Sequence, residues 1–129
     1  MLYQDDKAAR LFAERHLKVS FADPMIGLVV TDHGFVVGAA ILNGYIPGDN
    51  IDISAVGNIS SIKVIRGIAR YCFKRVRRVT AKTCVTNKPA IKALKALRFK
   101  QEGVLREYFS EGDAIVFGLL RREQRIVRL

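Results

Sequence analysis

The chain has 129 residues, of which 50% are hydrophobic and 26% charged, and this indicates one compact domain over residues 1–129 rather than a disordered segment. No apolar run approaches the roughly 20 residues of a membrane-crossing helix, so we expect no membrane segment. The 22 lysines and arginines outnumber the 12 acidic residues and give a net charge of +10. A field of this sign attracts polyanions, and it predicts weak, non-specific nucleic-acid binding.

The cysteines and the start of the chain indicate the compartment. Cys72 and Cys84 fall on segments predicted to be buried, so we interpret both as small core residues in a reducing environment. Two cysteines and two histidines without close spacing give no metal-site pattern. The acidic first six residues lack the basic and apolar regions of a signal peptide. A cytoplasmic location is therefore expected.

The first part of the chain is predicted to form a helix and a hairpin. Asp5–Leu17 has the apolar spacing of an amphipathic helix, and residues 19–24 follow as a connector. Met25–Thr31 and Phe35–Leu42 read as strands of a β-hairpin around an Asp-His-Gly turn. Asn43–Asn50 then has the composition of a long turn.

The centre of the chain, residues 50–103, reads as strand, helix, strand and helix. The segments are a strand at 51–56, a helix at 60–75, a strand at 77–85 and a helix at 87–97. A βαβα order of this kind implies parallel neighbouring strands with a right-handed crossover. A second hairpin, Val104–Ser110 with Ala114–Arg121, and a short basic tail complete the chain.

Each central helix has an apolar and a cationic face. The apolar face of the first helix comprises Ile62, Ile65, Ile68 or Ala69, Cys72, Phe73 and Val76, and its cationic stripe comprises Lys63, Arg66, Arg70 and Lys74. The second helix has Ala90, Ile91, Leu94 and Leu97 on its apolar face and Lys88, Lys92 and Lys95 on the other. The apolar faces are expected to pack on the sheet.

The start of the first central helix suits an anion. Ser60 or Ser61 can serve as the N-cap, since a hydroxyl accepts from free backbone amides. The preceding Gly57-Asn58 turn would leave further amides and the positive end of the helix dipole exposed, which suits a phosphate. An ordinary capped helix is the alternative interpretation. Asn87 is the predicted cap of the second helix, with proline in its first turn.

A pattern of residues from Asn87 onwards resembles a known family. Preceded by the run Arg78-Val79-Thr80-Ala81, it reads Asn87-Lys88-Pro89-Ala90-Ile91, Leu94, Leu97-Arg98-Phe99 and Gln101-Glu102-Gly103-Val104-Leu105-Arg106-Glu107. This pattern is similar to the GNAT (GCN5-related) N-acetyltransferases, above all to the branch that acetylates protein N-termini and its short phage-type members. The resemblance covers residues 51–123. The chain departs from the family in having one glycine in the acyl-CoA loop, Arg98 in place of a glycine, and Leu94 where a tyrosine acid is common.

The resemblance implies an α/β (α+β) fold whose mixed central sheet holds a βαβα acyl-CoA-binding core between two hairpins. It implies acetyl-CoA as cosubstrate and splayed central strands, with the backbone of the first strand pairing with the pantetheine arm. The implied cofactor-binding residues are Ser54, Ala55, Val56, Gly57, Asn58, Ile59, Ser60, Ser61 and Asn87.

Catalytic groups are few. Asp52 is the sole carboxylate on the first central strand and could act as a general base, directly or through water. A solvated strand residue is the alternative interpretation for Asp52. Tyr108, with Tyr45 and Tyr71 as alternatives, is the candidate acid for the leaving thiol.

Two functions from different classes remain open at this point. The first is an N-acetyltransferase that moves an acetyl group from acetyl-CoA to a primary amine on a small molecule, a protein or a modified nucleobase. The second is a protein that keeps the fold without turnover and engages nucleic acid or an acidic partner through its basic surface. The pattern from Asn87 to Glu107 favours the first. A homodimer is compatible with either.

Overall fold

The computed structural model describes residues 1–17 and 20–129, which form one seven-stranded mixed sheet with three helices. The strands are β1 (Leu2–Gln4), β2 (Ile26–Asp32), β3 (Phe35–Ile46), β4 (Gly48–Gly57), β5 (Val76–Cys84), β6 (Lys100–Phe109) and β7 (Gly112–Leu120). The helices are α1 (Asp6–Leu17), α2 (Ile62–Phe73) and α3 (Lys88–Ala96). The predicted α/β class is therefore confirmed. Val19, the first residue of the predicted connector, lies outside the described residues.

The sheet order is β1-β2-β3-β4-β5-β7-β6. β4 and β5 are parallel neighbours, as the βαβα pattern requires, and the other pairs are antiparallel. Both predicted hairpins form, β2 with β3 and β6 with β7. The second hairpin reverses the strand order, because β7 lies against β5 and leaves β6 at the edge.

Helices cover both faces of the sheet. On β2, Leu28 and Val30 pack in the cluster that includes α2, whereas Val29 packs with Ala9 and Ala13 of α1. Because neighbouring strand residues point to opposite faces, α1 and α2 lie on opposite sides. α1 approaches closely, since a Cβ placed on Gly27 would overlap the Cβ of Ala9.

The buried face of α2 is rotated from the prediction. Ile62 is 55% exposed, and Val64 is buried in its place. The buried positions continue through Ile68 and Cys72 at the spacing of helix turns. Burial raises the pKa of the Cys72 thiol to about 12, which keeps it protonated.

Three further expectations are wrong. Asn43–Asn50 is not a long turn, because β3 extends to Ile46 and β4 begins at Gly48, with an irregular register in between. Cys84 is only partly buried, since it lies at the end of β5. The apolar face of α3 is also only half-buried, and no residue of that helix is fully buried.

No helix in the described part of the chain is long and apolar enough to span a bilayer.

Candidate active site

β4 and β5 diverge at their carboxyl ends. Their parallel pairing runs from Gly48 opposite Val76 to Ile53 opposite Ala81 and stops there. Beyond that point the described part of β4, Ser54–Gly57, pairs with β3 alone. Residues 82–84 of β5 pair with β7. The edge of β4 that faces β5 therefore has backbone groups free of any strand partner, where an extended ligand can add hydrogen bonds.

The turn after β4 lies directly on β3. Gly57 has a φ of 77°, and a Cβ there would lie 2.5 Å from the carbonyl oxygen of Val37. The Asn58 amide donates to that same carbonyl at 2.8 Å. A Cβ on Gly38 would lie 2.6 Å from the carbonyl oxygen of Asn58. Two glycines thus allow the turn to seat on β3 and fix where α2 begins.

The start of α2 is left without a side-chain cap. Ser61 holds the N-cap position, but its hydroxyl makes no capping hydrogen bond, contrary to the sequence expectation. The Ser60 hydroxyl instead donates to the Asn58 side-chain oxygen at 3.1 Å. The first turn also carries no acidic residue. Its amides and the positive dipole end are therefore suited to an anion.

The remaining predicted cofactor-binding residues line the same end of the sheet. Val56 packs in the α1 cluster, and Ile59 packs against the α2 cluster. Asn87 follows β5, whose end lies beside that of β4 because the strands are parallel. Its side-chain oxygen accepts from the Ala90 amide at 3.3 Å and caps α3.

The structure brings the two predicted catalytic residues together around Lys82. The Lys82 Nζ atom lies 4.0 Å from Oδ2 of Asp52 and 5.6 Å from the centre of the Tyr108 ring. The side chains of Asp52 and Lys82 are each 33% exposed. Asp52 alternates with Ile51 and Ile53, which pack in the α2 cluster, so it points to the opposite face of the sheet.

A chain of hydrogen bonds orients Asp52. The Arg78 Nε atom donates to the Thr80 hydroxyl at 2.9 Å, and that hydroxyl donates to Oδ1 of Asn50 at 2.7 Å. The Asn50 amide nitrogen then donates to Oδ1 of Asp52 at 2.9 Å. Because the Thr80 hydroxyl fixes which end of the Asn50 amide is the acceptor, the donor end is aimed at Asp52.

Glu102 anchors the other end of this chain, which we call the Asp52 relay: Asp52, Asn50, Thr80, Arg78 and Glu102. Glu102 forms an ion pair with Arg78, and this hydrogen bond raises the pKa of the Arg78 guanidinium. The pair lies over Gly118, where a Cβ would come within 2.7 Å of both side chains. Sequence reasoning missed Asn50, Thr80 and Arg78. Their alternation with apolar residues on both strands was the available signal.

The other candidates lie apart from this group. Tyr71 stands on α2, where the Arg75 guanidinium lies 3.6 Å from the centre of its ring. Tyr45 is half-exposed near the end of β3. His16 lies in the last turn of α1, and His33 is exposed at the tip of the β2–β3 hairpin. Among the described residues, no three histidines, cysteines or carboxylates cluster as a metal site.

The fold is similar to that of solved acetyltransferases. No family model matches the sequence, and no curated protein does. A spermidine/spermine N-acetyltransferase SpeG from Vibrio cholerae, solved in mutant forms, superposes with a TM-score of 0.76 at 15% identity over 95% of each chain. A ribosomal-protein-S5-alanine acetyltransferase from Vibrio fischeri gives 0.66 at 18% identity over 78% of this chain.

RimJ from Mycobacterium smegmatis, solved with CoA-disulfide, gives a TM-score of 0.68 at 18% identity over 91% of this chain. The chain spans 64% of the Vibrio fischeri protein and 59% of RimJ. At this level of identity the likeness concerns the fold. The chain therefore has the fold of the GNAT acetyltransferases.

Proposed function

We propose that the protein is an acetyl-CoA-dependent N-acetyltransferase that acts on a primary amine. The observation that carries this proposal is the opening between β4 and β5 beside the uncapped start of α2. The two features offer unpaired strand backbone and a phosphate-binding helix end at one place. The opening also connects the two faces of the sheet, with α2 on one and Asp52 on the other.

Acetyl-CoA would supply an acetyl thioester and a pyrophosphate, and the residues present fit both. The backbone of Ser54–Val56 is free on its β5 side and can pair with the amides of the pantetheine arm. The first-turn amides of α2, with the Ser60 and Ser61 hydroxyls, can hold the pyrophosphate. Asn87 lies across the opening. Its side-chain oxygen caps α3, and its side-chain amide nitrogen can orient the arm.

The chemistry requires the amine to lose a proton and the leaving sulfur to gain one. Asp52 accepts the amine proton at its Oδ2 atom, directly or through one water, because Oδ1 is occupied by Asn50. The Tyr108 hydroxyl donates a proton to the sulfur. Both side chains lie near the Lys82 ammonium group, which limits their separation. Positioning of both substrates in the opening supplies much of the remaining rate.

A protein amine suits the charge of this chain better than a polyamine does. Of the similar structures, one is named as acting on an alanine of a ribosomal protein and one on spermidine or spermine. A polycationic acceptor would be repelled by a chain of charge +10. This supports the branch that acetylates protein N-termini, whereas the proposed likeness to its short phage-type members rests on the sequence resemblance alone.

Two observations favour a second function, a protein that keeps this fold without turnover. The loop before α2 has Gly57 as its one glycine, and that glycine serves the contact with β3 rather than the approach of a phosphate. Leu94 also stands where the family often has a tyrosine. Ligand binding and turnover are therefore measured separately.

Thermal unfolding with acetyl-CoA tests the binding step. A ligand that binds only the folded chain raises the free energy of unfolding, by about 2.7 kcal/mol at 100 times its Kd. We expect a rise in melting temperature with acetyl-CoA or CoA. Ser60→Asp with Ser61→Asp should reduce this rise, since the carboxylates would repel the pyrophosphate. The control is Ser20→Asp with Ser110→Asp, which makes the same charge change at exposed positions elsewhere.

Release of free CoA thiol in the presence of a peptide amine tests turnover. No melting shift at millimolar acetyl-CoA would exclude the enzyme. A shift without thiol release from any amine would favour the binding protein. Equal shifts for the two double variants would show that the start of α2 is not the pyrophosphate site.

A further inference from the structure

We propose that a cleft between α2 and the carboxyl-terminal segment, residues 121–129, binds the phosphate backbone of a nucleic-acid strand. The cleft has a volume of about 480 Å³, and four arginines line it: Arg66, Arg70, Arg125 and Arg128. Two come from α2 and two from the terminal segment. We call it the arginine cleft. It lies outside the acetyl-CoA site proposed above, so its role does not depend on that function.

The topology places the arginine cleft away from the opening. β4 runs towards the opening, and α2 then returns to the start of β5 at Val76. β7 is antiparallel to β5, and Leu120 near its end lies opposite Arg78 near the start of β5. The terminal segment therefore leaves the sheet at the edge where α2 ends, whereas the proposed pyrophosphate site lies where α2 begins.

The wall formed by the terminal segment is held in place. Gln124 is only 9% exposed, and its Oε1 atom accepts from the amides of Ile126 at 2.8 Å and Val127 at 3.0 Å. Its Nε2 atom donates to the Val127 carbonyl at 2.7 Å. Ile126 and Val127 also pack against the core cluster of α2. The backbone that carries Arg125 and Arg128 is thus fixed before any ligand arrives, which lowers the cost of binding.

The positive charge of the cleft is not neutralised. Within residues 1–17 and 20–129, no carboxylate lies within 4.0 Å of the side-chain nitrogens of the four arginines, and α2 contains no acidic residue. Glu123 is the one carboxylate side chain of the terminal segment. It is paired with Lys100, whose hydrogen bond lowers the pKa of Glu123. An anion in the cleft would therefore meet four available guanidinium groups.

The chemistry of the lining favours phosphates over an acidic protein. Guanidinium groups bind phosphate oxygens through paired N–H bonds. A protein interface of useful affinity relies on aromatic anchors in an apolar centre, and the residues lining this cleft include no aromatic side chain. The lack of aromatic residues also removes base stacking. Binding should therefore be insensitive to sequence and should depend on salt.

The lysines of α3 provide a matched comparison. Lys88, Lys92 and Lys95 are exposed on a single convex helix, whereas the arginines converge on a cleft. The test variant is Arg66→Gln, Arg70→Gln and Arg125→Gln, and the control is Lys88→Gln, Lys92→Gln and Lys95→Gln. Each removes three positive charges from the chain. Thermal unfolding of each variant without ligand reports whether the fold is kept.

Fluorescence anisotropy with labelled 12-nucleotide strands of RNA and DNA measures the affinity, at several salt concentrations between about 50 and 200 mM. The arginine variant should lose affinity about tenfold or more. Its plot of log affinity against log salt should also become shallower by about 2, that is, by 0.7 for each cation removed. The lysine control should lose less than about threefold. If the triple arginine variant unfolds, Arg125→Gln alone should lower the slope by about 0.7.

Three outcomes would overturn the proposal. Equal losses for the two triple variants would mean that the net charge, and not the cleft, binds the strand. Polyglutamate and unlabelled oligonucleotide can be compared as competitors at equal concentrations of negative charge. If polyglutamate competes as strongly, the cleft binds an acidic protein partner. Binding of RNA more than tenfold tighter than DNA would require recognition of the ribose hydroxyl, which phosphate contacts do not provide.

Discussion

Asp52 is held by its neighbours as closely as a general base needs to be. Asn50 donates to one carboxylate oxygen, and Lys82 lies 4.0 Å from the other. A Cβ on Gly44 would lie 2.5 Å from Oδ2, so that glycine provides the space in which the carboxylate lies. A solvated strand residue would need none of these constraints. These contacts hold the carboxylate in one orientation, as its proposed role of general base requires.

Asp52→Asn should lower kcat by a factor of about 10² to 10⁴, the usual contribution of a general base. The melting shift with acetyl-CoA should be unchanged, because Asp52 lies on the face of the sheet opposite α2. The measurement is thiol release with a peptide amine. Asp49→Asn is the control, since Asp49 lies on the same strand but pairs with Arg77, at 3.1 Å, instead of joining the relay.

A second variant separates positioning from structure. Thr80→Val removes the hydroxyl that orients Asn50, and we expect kcat to fall about tenfold with the KM for acetyl-CoA unchanged. Full activity in Asp52→Asn would leave Asp52 as a solvated residue and would remove any role for the relay.

Residues on one strand were easier to predict than their partners. The position of Asp52 between two apolar residues followed from alternation along β4. Alternation was a signal for Asn50, Thr80 and Arg78. The link to Glu102 could not be predicted, because Arg78 and Glu102 meet only after β7 inserts between β5 and β6. Nothing local in the sequence indicates that insertion. The uncapped start of α2 could not be predicted either, because a serine at the N-cap usually accepts from a first-turn amide, and Ser61 does not.

At the scale of elements, the end of α3 carries a strained residue. Arg98 has a φ of 73°, in the left-handed region that follows many helices and favours glycine. The position is the one where the resemblance expects a glycine. Arginine in place of the family's glycine therefore still ends the helix at this position, but it adds a free-energy cost from backbone strain.

Arg98→Gly should raise the free energy of unfolding by about 1 kcal/mol, because relief of the left-handed strain exceeds the greater freedom of glycine in the unfolded chain. The measurement is chemical or thermal unfolding. Arg98→Ala is the control, since it removes the side chain but keeps the strain, and it should give no gain. Stabilisation by alanine equal to that by glycine would show that the side chain, and not φ, is the source of the strain.

Most helices and strands could be predicted from the periodicity of the sequence. The prediction fails where the amino-acid composition is typical of a turn but the strands pair. Asn43–Asn50 is rich in residues typical of turns, yet most of it lies in strands because β3 and β4 pair across it. Gly44 and Gly48, with φ of 56° and 78°, accommodate the irregular register and the tight turn. β1 was not predicted, because three residues are too few to show alternation.

At the scale of the whole molecule, the net charge of +10 affects the binding of every charged ligand. It attracts the phosphates of a cofactor and of a nucleic acid, and it repels cationic acceptors. The arginine cleft uses side chains of α2 from Arg66 onwards and of the terminal segment, whereas the proposed pyrophosphate site uses the first-turn amides of α2, so a bound strand and a bound cofactor need not compete for the same groups. A protein amine presented near nucleic acid, as on a ribonucleoprotein, would suit both surfaces.

The sign of the salt dependence of acetylation tests this view of the charge. At saturating acetyl-CoA, kcat/KM for an acidic peptide amine should fall as salt rises from about 50 to 200 mM, because screening weakens the attraction. The value for spermidine should rise over the same range, since screening weakens the repulsion. An uncharged peptide amine serves as the control and should change little. A rate for spermidine that falls with salt would show that a local acidic site prevails over the net charge and that polyamines are the acceptors.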